Sequence, residues 1–596
     1  MNQVAPATTR PAPPVHQGVL SACVFLGGAN RLATASAEGA IVIWDTGAGQ
    51  PVNRLAAHKG PILALDWDAR HRRVISAGHD RRIAASDPDT GETATLAEHA
   101  AGLYAVALSP NGELLASGGY DQVIRLWRLA DGAPLGELPG HNGAVLDLAF
   151  LDDDRLVSCG RDYQVVVWDV ARCAERLRTA GHRRWAMRVR ASADGRTIYS
   201  AGEDGLVCGW SAETGALLWR WQFQSPVWGL ERTSEGSALI VGAAGLAARL
   251  DLAPDGPSEP KPLATETARI IARSDSGLMA LGADSVILYR ADAPETPLQR
   301  LSLGAPLYIS VAARRGSVES GRRPSLAAIM TRANGEVDLD LAGGRRRLTP
   351  GHQGLAFASC LVDPSMFATV GFDGLIHLRD ADGALVRSFD HGGFIFSVNA
   401  SADGSRLLAV GNDAMSLWDT ASGERIWSEA NLGVGFHVWG ALSLDARFAV
   451  AVGEGPWLHR WTFGGGEARR ERFALDFGRL IGTCGLMAVA IVDETTMAVA
   501  TAAGEVRRVD LAAGASTLLH AKHESGVRGA MISPDGRQLL SFSENGVTAV
   551  FDLQAGRPCT PAAVADAVVP AACFTPQGDL VWVDGEGVAH VELASP

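Results

Sequence analysis

The sequence predicts an all-β fold built from tandem copies of one short unit, and three observations support this. Only 20% of the residues are charged and 68 are glycine, a composition typical of short strands joined by many turns. Apolar and polar residues alternate in short runs, most clearly between residues 140 and 169. His, Ser, Asp and Trp recur with nearly constant spacing along the chain, which a repeated unit explains.

One complete copy of the unit runs from Gly140 to Asp169, GHNGAVLDLAFLDDDRLVSCGRDYQVVVWD. Its alternating runs are broken by Asn-Gly, Asp-Asp-Asp and Gly-Arg-Asp, which predicts three short strands joined by tight turns. The unit opens with Gly-His and closes with Trp-Asp. It resembles the WD40 repeat, whose four strands form one blade of a β-propeller.

The resemblance implies a buried hydrogen-bonded set in each blade, the structural network, formed here by His141, Ser158, Asp162 and Trp168. A strand cannot slip by one residue without turning its side chains over, so true copies must keep the offsets. His and Asp are 22 residues apart in three of four copies and 21 in the other. The matching residues of the other three copies are His58, Ser76, Asp80, His99, Ser117, Asp121, Trp127, His182, Ser200, Asp204 and Trp210.

Two copies depart slightly from this pattern. Ser86 replaces the Trp of the copy that begins at His58, and Glu38 replaces the Asp of the copy that begins at His16. The second half of the chain is more degenerate, with Arg379 at a Trp position after His352.

Strand-ending signatures such as Val167-Trp168-Asp169 occur fourteen times, at roughly 42 residues per unit. Propellers usually have four to eight blades, so we expect two seven-bladed WD40-type propellers in tandem rather than one ring of fourteen. We place the first propeller at residues 16–298 and the second at 299–596, joined by the Pro-rich segment 291–297.

The last unit supplies only three strands before the sequence ends. Residues 1–15 occupy the place of the missing outer strand in the repeat, so we predict that they complete the second ring. Their four prolines suit only an edge strand. A disordered tail is the alternative.

Charge and composition exclude several classes of function. A formal net charge of -13 disfavours nucleic acid as the main partner, because phosphate binding relies on Lys and Arg. The N-terminus has no signal-peptide pattern, no apolar run reaches membrane-spanning length, and the eight cysteines form no Cys-x-x-Cys pair. We therefore expect a cytoplasmic protein with buried free thiols. Richness in Ala, Gly and Arg suggests a bacterial source.

The recurring His, Ser and Asp invite a hydrolase interpretation. A set repeated in successive blades, with an indole as fourth member, is better explained as a network that satisfies buried polar groups. Each His is alone in its blade, which argues against a metal site. Residues 213–219 and 420–427 are similar to a Gly-to-Trp segment of quinone-dependent dehydrogenase propellers, but only two units show it. We expect no enzyme activity, no metal and no cofactor.

The WD40 resemblance places the residue before the turn Asp, and those after the Gly-His, on the face where partners commonly dock. Arg, Tyr and Trp are enriched at binding hot spots. Lys59 lies on this face too. The candidates for partner binding are His79, Tyr120, Arg161, Arg183, Arg184, Trp185, Glu203 and Phe372.

An Arg-rich insertion interrupts the eighth unit and offers a second candidate surface. It contains Arg314, Arg315, Arg322 and Arg323, and a run of three arginines follows at 345–347. Such a cluster suits a carboxylate-rich partner or a phosphate group, while a solvated loop is the alternative. We predict a non-catalytic scaffold that docks protein partners or peptides within a larger assembly. A propeller enzyme, and anion or nucleic-acid binding through the insertion, are the alternatives.

Overall fold

The structure is a computed structural model of the chain. The residues that it describes are 16, 20–243, 246–253, 256–264, 270–274, 278–282, 286–290, 297–301, 308–315, 326–332, 335–341, 344–353, 355–411, 414–430, 437–453, 457–464, 467–475, 486–501, 504–520, 523, 527–543, 547–561, 564, 569, 571–584 and 589–593.

Within these residues the chain forms 56 β-strands in fourteen antiparallel sheets, the blades. Each blade is built from consecutive strands, so its connections are local hairpins. The strands of blades 1 to 7 are β1 (Leu20–Phe25), β2 (Arg31–Ser36), β3 (Ala40–Asp45), β4 (Gln50–Ala56); β5 (Ile62–Asp68), β6 (Arg73–Gly78), β7 (Arg82–Ser86), β8 (Thr93–Glu98); β9 (Leu103–Leu108), β10 (Leu114–Gly119), β11 (Ile124–Arg128), β12 (Pro134–Leu138); β13 (Val145–Phe150), β14 (Arg155–Gly160), β15 (Gln164–Asp169), β16 (Ala174–Ala180); β17 (Ala186–Ala191), β18 (Thr197–Gly202), β19 (Leu206–Ser211), β20 (Leu217–Gln222); β21 (Val227–Arg232), β22 (Ala238–Ala243), β23 (Leu246–Ala253), β24 (Gly256–Pro257), β25 (Lys261–Ala264); β26 (Ile270–Arg273), β27 (Leu278–Gly282), β28 (Val286–Arg290) and β29 (Gln299–Leu301).

The second half of the chain continues the pattern. The strands of blades 8 to 14 are β30 (Tyr308–Arg315), β31 (Leu326–Arg332), β32 (Val337–Leu341), β33 (Gly344–Leu348); β34 (Ala356–Asp363), β35 (Met366–Gly371), β36 (Leu375–Asp380), β37 (Leu385–Asp390); β38 (Ile395–Ala400), β39 (Arg406–Gly411), β40 (Ala414–Asp419), β41 (Arg425–Ala430); β42 (His437–Leu442), β43 (Phe448–Gly453), β44 (Trp457–Gly464), β45 (Glu467–Ala474); β46 (Leu486–Ile491), β47 (Thr496–Thr501), β48 (Val506–Asp510), β49 (Ala515–His520); β50 (Val527–Ile532), β51 (Gln538–Ser543), β52 (Thr548–Asp552), β53 (Arg557–Pro558); β54 (Ala571–Phe574), β55 (Leu580–Val583) and β56 (Ala589–Glu592).

The blades close into two rings of seven. Within each half of the chain, the first strand of a blade packs against the first strand of the next, and β26 of blade 7 returns to pack against β1 of blade 1. In the second half β54 of blade 14 packs against β30 of blade 8 in the same way. The protein is therefore all-β, with two seven-bladed propellers in tandem.

Each ring is held together by apolar side chains between neighbouring blades. Ile124 and Leu126 of blade 3 pack with Leu148 and Trp168 of blade 4, and all four are buried. Burial of side chains of this size contributes about 1.5–3 kcal/mol each. The alternating pattern of the strands thus supplies two buried faces per blade, one toward each neighbour.

In the turn that follows the second strand of a blade, the residue directly after the network Asp or Glu has a left-handed backbone conformation. That residue is Gly39 in blade 1 and Gly205 in blade 5, but Gln122 in blade 3 and Tyr163 in blade 4, with φ between 66° and 84°. Gly takes this conformation without a steric penalty, whereas Gln and Tyr do not. The repeat therefore requires the turn geometry more strictly than it requires glycine.

The seventh blade ends at Leu301, beyond the boundary predicted at residue 298. Strand β29 pairs with β28, so the Pro-rich segment 291–297 connects the third and fourth strands of blade 7 rather than the two rings. Blade 14 has three strands in the described part of the chain. Residues 1–15 lie outside the described residues, and their role as a closing strand stays a prediction.

The described cysteines are all free thiols, and three of them, Cys159, Cys208 and Cys573, are buried. Cys484 lies outside the described residues. Among the described residues no helix has the length and apolar character needed to cross a membrane.

Candidate functional site

The structural network lies between the strands of one blade, near the turn that carries its Asp. In blade 4, His141 Nδ1 is 2.9 Å from Asp162 Oδ2, and His141 Nε2 is 2.7 Å from Ser158 Oγ. The Trp168 indole N–H donates to the same Ser158 Oγ over 2.7 Å. Burial acts to raise the pKa of Asp162, but hydrogen bonds from His141 and a backbone N–H outweigh it, so the pKa lies below its ordinary value.

The same contacts recur in other blades with small changes. His to Asp and His to Ser contacts of 3.3 Å or less join the predicted members of blades 2, 3 and 5, and Trp127 and Trp210 donate to their Ser hydroxyls. In blade 1, His16 contacts Thr34, Ser36 and Glu38.

These serines are poor candidates for a nucleophile. The Ser158 hydroxyl is completely buried and is shared between the His141 ring and the Trp168 indole. A hydroxyl that is enclosed in this way has no open side from which a substrate carbon could be attacked. The network therefore serves to give buried polar groups their hydrogen-bond partners.

The top face is defined here as the ring surface that bears the network His and Asp. On the first ring it carries a cluster in which Arg161 is central. The Arg161 guanidinium lies over three aromatic rings, at 4.3 Å from the centroid of Trp185, 5.2 Å from Tyr104 and 5.4 Å from Tyr120. Arg161 also donates to the Tyr104 hydroxyl over 2.6 Å.

His79 extends this cluster from blade 2. Its ring is 5.4 Å from Tyr104 and 5.5 Å from Tyr120, and the Tyr104 hydroxyl donates to the Tyr120 hydroxyl over 2.5 Å. The pre-Asp residues of three successive blades, His79, Tyr120 and Arg161, therefore form one continuous surface. Tyr104 joins them although the sequence analysis did not single it out.

The second ring packs onto this surface through phenylalanines. Trp185 stacks on Phe396 at 6.3 Å, and Trp228 lies 6.2 Å from Phe394. Phe372, a predicted docking residue, stacks on Phe394 at 4.4 Å. Blades 4 to 6 of the first ring and blades 9 and 10 of the second thus share one apolar cluster, the inter-ring cluster, whose buried members are Leu146, Trp185, Trp228, Phe394 and Phe396.

Two polar contacts accompany the inter-ring cluster. Arg184 donates from Nη2 to the backbone carbonyl of Gly392 in the second ring over 2.7 Å. Its Nη1 lies 3.5 Å from the carboxylate of Glu203, whose side chain is fully buried. Arg183, the residue before Arg184, is exposed, and its backbone N–H donates to Asp204 over 2.8 Å.

The predicted docking residues consequently differ in how much a partner can reach them. Arg161, Trp185 and Glu203 are only 8%, 6% and 2% exposed. His79, Tyr120, Arg184 and Phe372 are half-buried, and Arg183 is exposed, as is Lys59. The repeat pattern predicts the whole set as surface. The second ring and neighbouring aromatic side chains cover part of it.

Trp185, which the sequence predicts as a docking residue, and four aromatic residues that it did not single out occupy two fixed positions of the repeat. Trp185 and Phe394 are each the third residue after a network His, and Tyr104, Phe357 and Phe396 are each the fifth. These positions lie just before the first strand of a blade or at its second residue. Large aromatic residues at both positions in blades of different rings mark the surfaces that meet.

The Arg-rich insertion is only partly described. The backbones of Arg314 and Arg315 end strand β30 and pair with Ala327 and Leu326 of β31. Arg322 and Arg323 lie outside the described residues. In the following run, Arg345 is 3.0 Å from Asp340 and Arg347 contacts Glu336, so these two arginines are paired within their own blade.

The two segments that resemble quinone-dependent dehydrogenases place their tryptophans in structural packing, within a blade at Trp219 and between blades at Trp427. Each forms a turn and an outer strand, β20 or β41. Trp219 packs over Gly209, where an added Cβ would lie 2.4 Å from the indole, and Trp427 lies 6.1 Å from Trp461 of the next blade. Both tryptophans therefore make structural packing contacts.

One expectation about histidines is wrong. In blade 9, His377 joins the network His352, because β35 and β36 pair Thr369 with His377. Together with Asp373 these residues offer ligand atoms within 4.8 Å of one another. Blade 9 therefore has a second His, His377 on its third strand β36, and its network His is not alone.

Comparison with known proteins agrees with the fold. A family model described as WD40, "WD domain, G-beta repeat", matches residues 49–84, 91–128, 132–169 and 174–211. Each match begins at the outer strand of one blade and ends at the third strand of the next, so the sequence repeat and the structural blade are offset by one strand.

Relatives of known description match shorter parts of the chain. Autophagy-related protein 16 of Arabidopsis thaliana is 28% identical over 193 residues, which cover 31% of this chain and 37% of that protein. The guanine nucleotide-binding protein subunit beta-1 of Caenorhabditis briggsae is 27% identical over 151 residues, 24% of this chain and 44% of its own length. The ribosome biogenesis protein WDR12 homolog of Ixodes scapularis is 29% identical over 145 residues, 23% of this chain and 34% of its own length.

The chain thus spans less than half the length of these curated relatives. The residues matched by the family model include the network members of blades 2 to 5 and the strands that hold them. The chain therefore contains WD40 repeats and folds as a WD40-type β-propeller protein.

Proposed function

We propose that this protein is a non-catalytic scaffold that docks one or more partner proteins or peptides on its propeller faces, within a larger assembly. The proposal is supported by the WD40 repeats and by relatives whose names include a guanine nucleotide-binding protein subunit. Repeat propellers offer rigid surfaces on which short connecting segments carry recognition. No cofactor and no nucleic acid is part of the proposal.

The observation that carries the proposal is the continuous cluster on the first top face. The buried Arg161 and Trp185 hold this cluster in one arrangement, and the half-buried His79 and Tyr120 are the members of this preorganised patch that a partner can reach. Binding to a patch that is already ordered avoids the entropy cost of ordering it. Such patches, with aromatic and Arg side chains, are typical of protein interfaces.

Within that face the residues take two roles. On this face of the first ring Arg183 and Lys59 are exposed, and His79 and Tyr120 are half-buried. We assign direct partner contact to this rim. Arg161, Trp185 and Glu203 are buried, so we assign them the positioning of the rim and of the second ring. Arg184 and Phe372 lie where the two rings meet.

The rim is tested by affinity capture of the tagged full chain from its own cells, followed by mass spectrometry. The double variant Lys59→Glu/Arg183→Glu reverses two exposed charges on the rim. Arg196→Glu is the matched control, because Arg196 is an exposed arginine in the turn between β17 and β18, on the opposite face. We expect a stoichiometric protein partner with wild type and control, and its loss from the double variant.

Capture of the same partner by all three proteins would remove the rim from the docking surface. The Arg-rich insertion, with Arg314, Arg315, Arg322 and Arg323, then becomes the next candidate, for an anionic partner. It follows the first strand of blade 8 in the chain, and of its four arginines only Arg314 and Arg315 are among the described residues. A cytoplasmic location and a bacterial source stay predictions from composition.

A further inference from the structure

We propose that His352, Asp373 and His377 of blade 9 form a three-ligand site for one divalent transition-metal ion, with Zn²⁺ the ion that the donor set favours. His352 and His377 each offer a ring nitrogen and Asp373 offers a carboxylate oxygen, and these three atoms lie within 4.8 Å of one another. Two imidazoles and one carboxylate, with a fourth position open to water, are a known ligand combination for Zn²⁺. This inference is independent of the docking proposal.

The geometry begins with the network contacts. His352 Nδ1 is 3.0 Å from Asp373 Oδ1, and His352 Nε2 is 3.1 Å from Thr369 Oγ1. The His377 ring stacks on the His352 ring, with 4.5 Å between centroids and 29° between planes. Donor atoms of a four-coordinate zinc ion lie about 3.4 Å apart, so the three groups need to close by little more than about 1 Å.

The strongest single observation is the second nitrogen of His377. Its Nδ1 is 2.8 Å from Ser388 Oγ, and its Nε2 is buried without a hydrogen bond of normal geometry, although the ring lies close enough to the Gly351 backbone for a weak one. The residue is 3% exposed. A buried ring nitrogen that lacks a good hydrogen bond costs free energy, and a metal ion would satisfy it. The contact with Ser388 leaves the other nitrogen available to an ion, because it engages Nδ1.

Other blades show that the repeat does not need this histidine. The equivalent position, opposite the network Ser or Thr, holds Ala84 in blade 2, Val166 in blade 4 and Cys208 in blade 5. Blade 9 also lacks the network Trp, because Arg379 replaces it. The His352 to Asp373 contact alone is structural, as in those blades. The second imidazole is what distinguishes blade 9.

Metal binding requires a tautomer change at His352, together with rotation of the two stacked rings so that their in-plane lone pairs meet at the ion. With the ring proton on Nδ1, it donates to Asp373 and Nε2 accepts from the Thr369 hydroxyl. With the proton on Nε2, the ring donates to Thr369 Oγ1 and frees Nδ1 for the ion, because a hydroxyl can accept as well as donate. No hydrogen bond to Thr369 is lost.

One neighbouring charge opposes the site. The guanidinium of Arg379 is buried and lies two residues after His377 on the same strand, so it disfavours a dication next to it.

The test uses the purified full chain, metal-free, incubated with Zn²⁺ alone or Co²⁺ alone and then separated from unbound ion. His377→Val places in blade 9 the residue that blade 4 has at this position. His459→Val is the matched control, since His459 is a buried histidine at the same strand position of blade 11, paired with Ala451 and two residues before Trp461. The readouts are bound metal per chain, the Co²⁺ visible spectrum and the Tm with and without Zn²⁺.

We expect one equivalent of ion in wild type and in His459→Val, an intense tetrahedral Co²⁺ spectrum and a rise in Tm with Zn²⁺. His377→Val should lose all three while keeping the metal-free Tm within a few degrees. Wild type that retains no more ion than His377→Val overturns the site, and so does equal loss in the control. If His377→Val does not fold, X-ray absorption of zinc-loaded wild type decides, because fewer than two imidazole ligands contradicts the proposal.

Discussion

The guanidinium of Arg161 lies 4.3 Å from the indole centroid of Trp185, which belongs to the neighbouring blade. The same indole stacks on Phe396 of the second propeller. A cation over an indole and a phenyl ring stacked on it together hold the indole in one orientation. The contact links the centre of the first top face to the second propeller. It makes the relative placement of the two rings depend on a few aromatic side chains.

The stacking of Trp185 on Phe396 should therefore be measurable as a coupling free energy. We expect Trp185→Ala and Phe396→Ala each to lower the free energy of unfolding by about 3–5 kcal/mol, as truncation of a buried aromatic residue does. The double variant should lose less than the sum, by about 0.5–1.5 kcal/mol. Chemical denaturation of the four proteins measures this, and strict additivity would show that the two rings do not contact here.

Adjacent arginines provide a second comparison at the same place. Arg184→Ala removes the donor to the Gly392 carbonyl and the guanidinium beside the buried Glu203 carboxylate, so we expect a loss of about 1–2 kcal/mol. Arg183→Ala changes an exposed side chain and should stay within about 0.5 kcal/mol of wild type. Equal stability of the two variants would contradict the assigned contacts of Arg184.

Removal of a network carboxylate should destabilise the fold. Asp162→Ala leaves the His141 ring and a backbone N–H without their acceptor, and we expect a loss of about 2–3 kcal/mol. Asp154→Ala, an exposed Asp of the preceding turn, is the control and should be nearly neutral. The Tm of each variant measures the difference. Wild-type stability of Asp162→Ala would falsify the structural role of the network.

The same carboxylates predict how stability changes with pH. Asp80, Asp162 and Asp204 have pKa values below the ordinary value, because His and backbone hydrogen bonds outweigh the effect of burial. A carboxyl whose pKa is lower in the folded state stabilises the fold above its unfolded pKa, about 3.9, and this stability is lost as pH falls through the folded pKa. We expect the Tm of wild type to fall more steeply below about pH 4 than that of Asp162→Asn. Parallel curves would contradict the prediction.

The Gly of the Gly-His pair has a packing role that a substitution can test. A Cβ at Gly181 would lie 2.1 Å from Cη2 of the buried Trp210, so Gly181→Ala must displace the indole. We expect a loss of about 1–3 kcal/mol, the usual cost of overpacking. Gly464→Ala is the control, because nothing lies within 4 Å of a Cβ there. Thermal unfolding compares them, and an equal effect of both changes would leave Gly181 without a packing role.

The repeat was predictable because its contacts are local. His141 and Asp162 are 21 residues apart and Ser158 lies between them in the same blade, so their spacing shows in the sequence, as does the strand alternation that makes blades. The end of the first propeller was harder to predict from the sequence. The segment that reads as a linker between rings is a connection within blade 7, since proline marks any irregular segment alike.

What the sequence by itself determined is the blade: its strands, turns and buried hydrogen bonds, which depend on residues near one another in the chain. What only the tertiary structure decided is which side chains remain open to a partner and which meet a second functional group. Trp185 is covered by Phe396, more than two hundred residues away, and His377 reaches His352 through antiparallel pairing of two strands. The physical reason is that burial and metal-ligand geometry depend on distances in space between segments, and local spacing does not contain those distances.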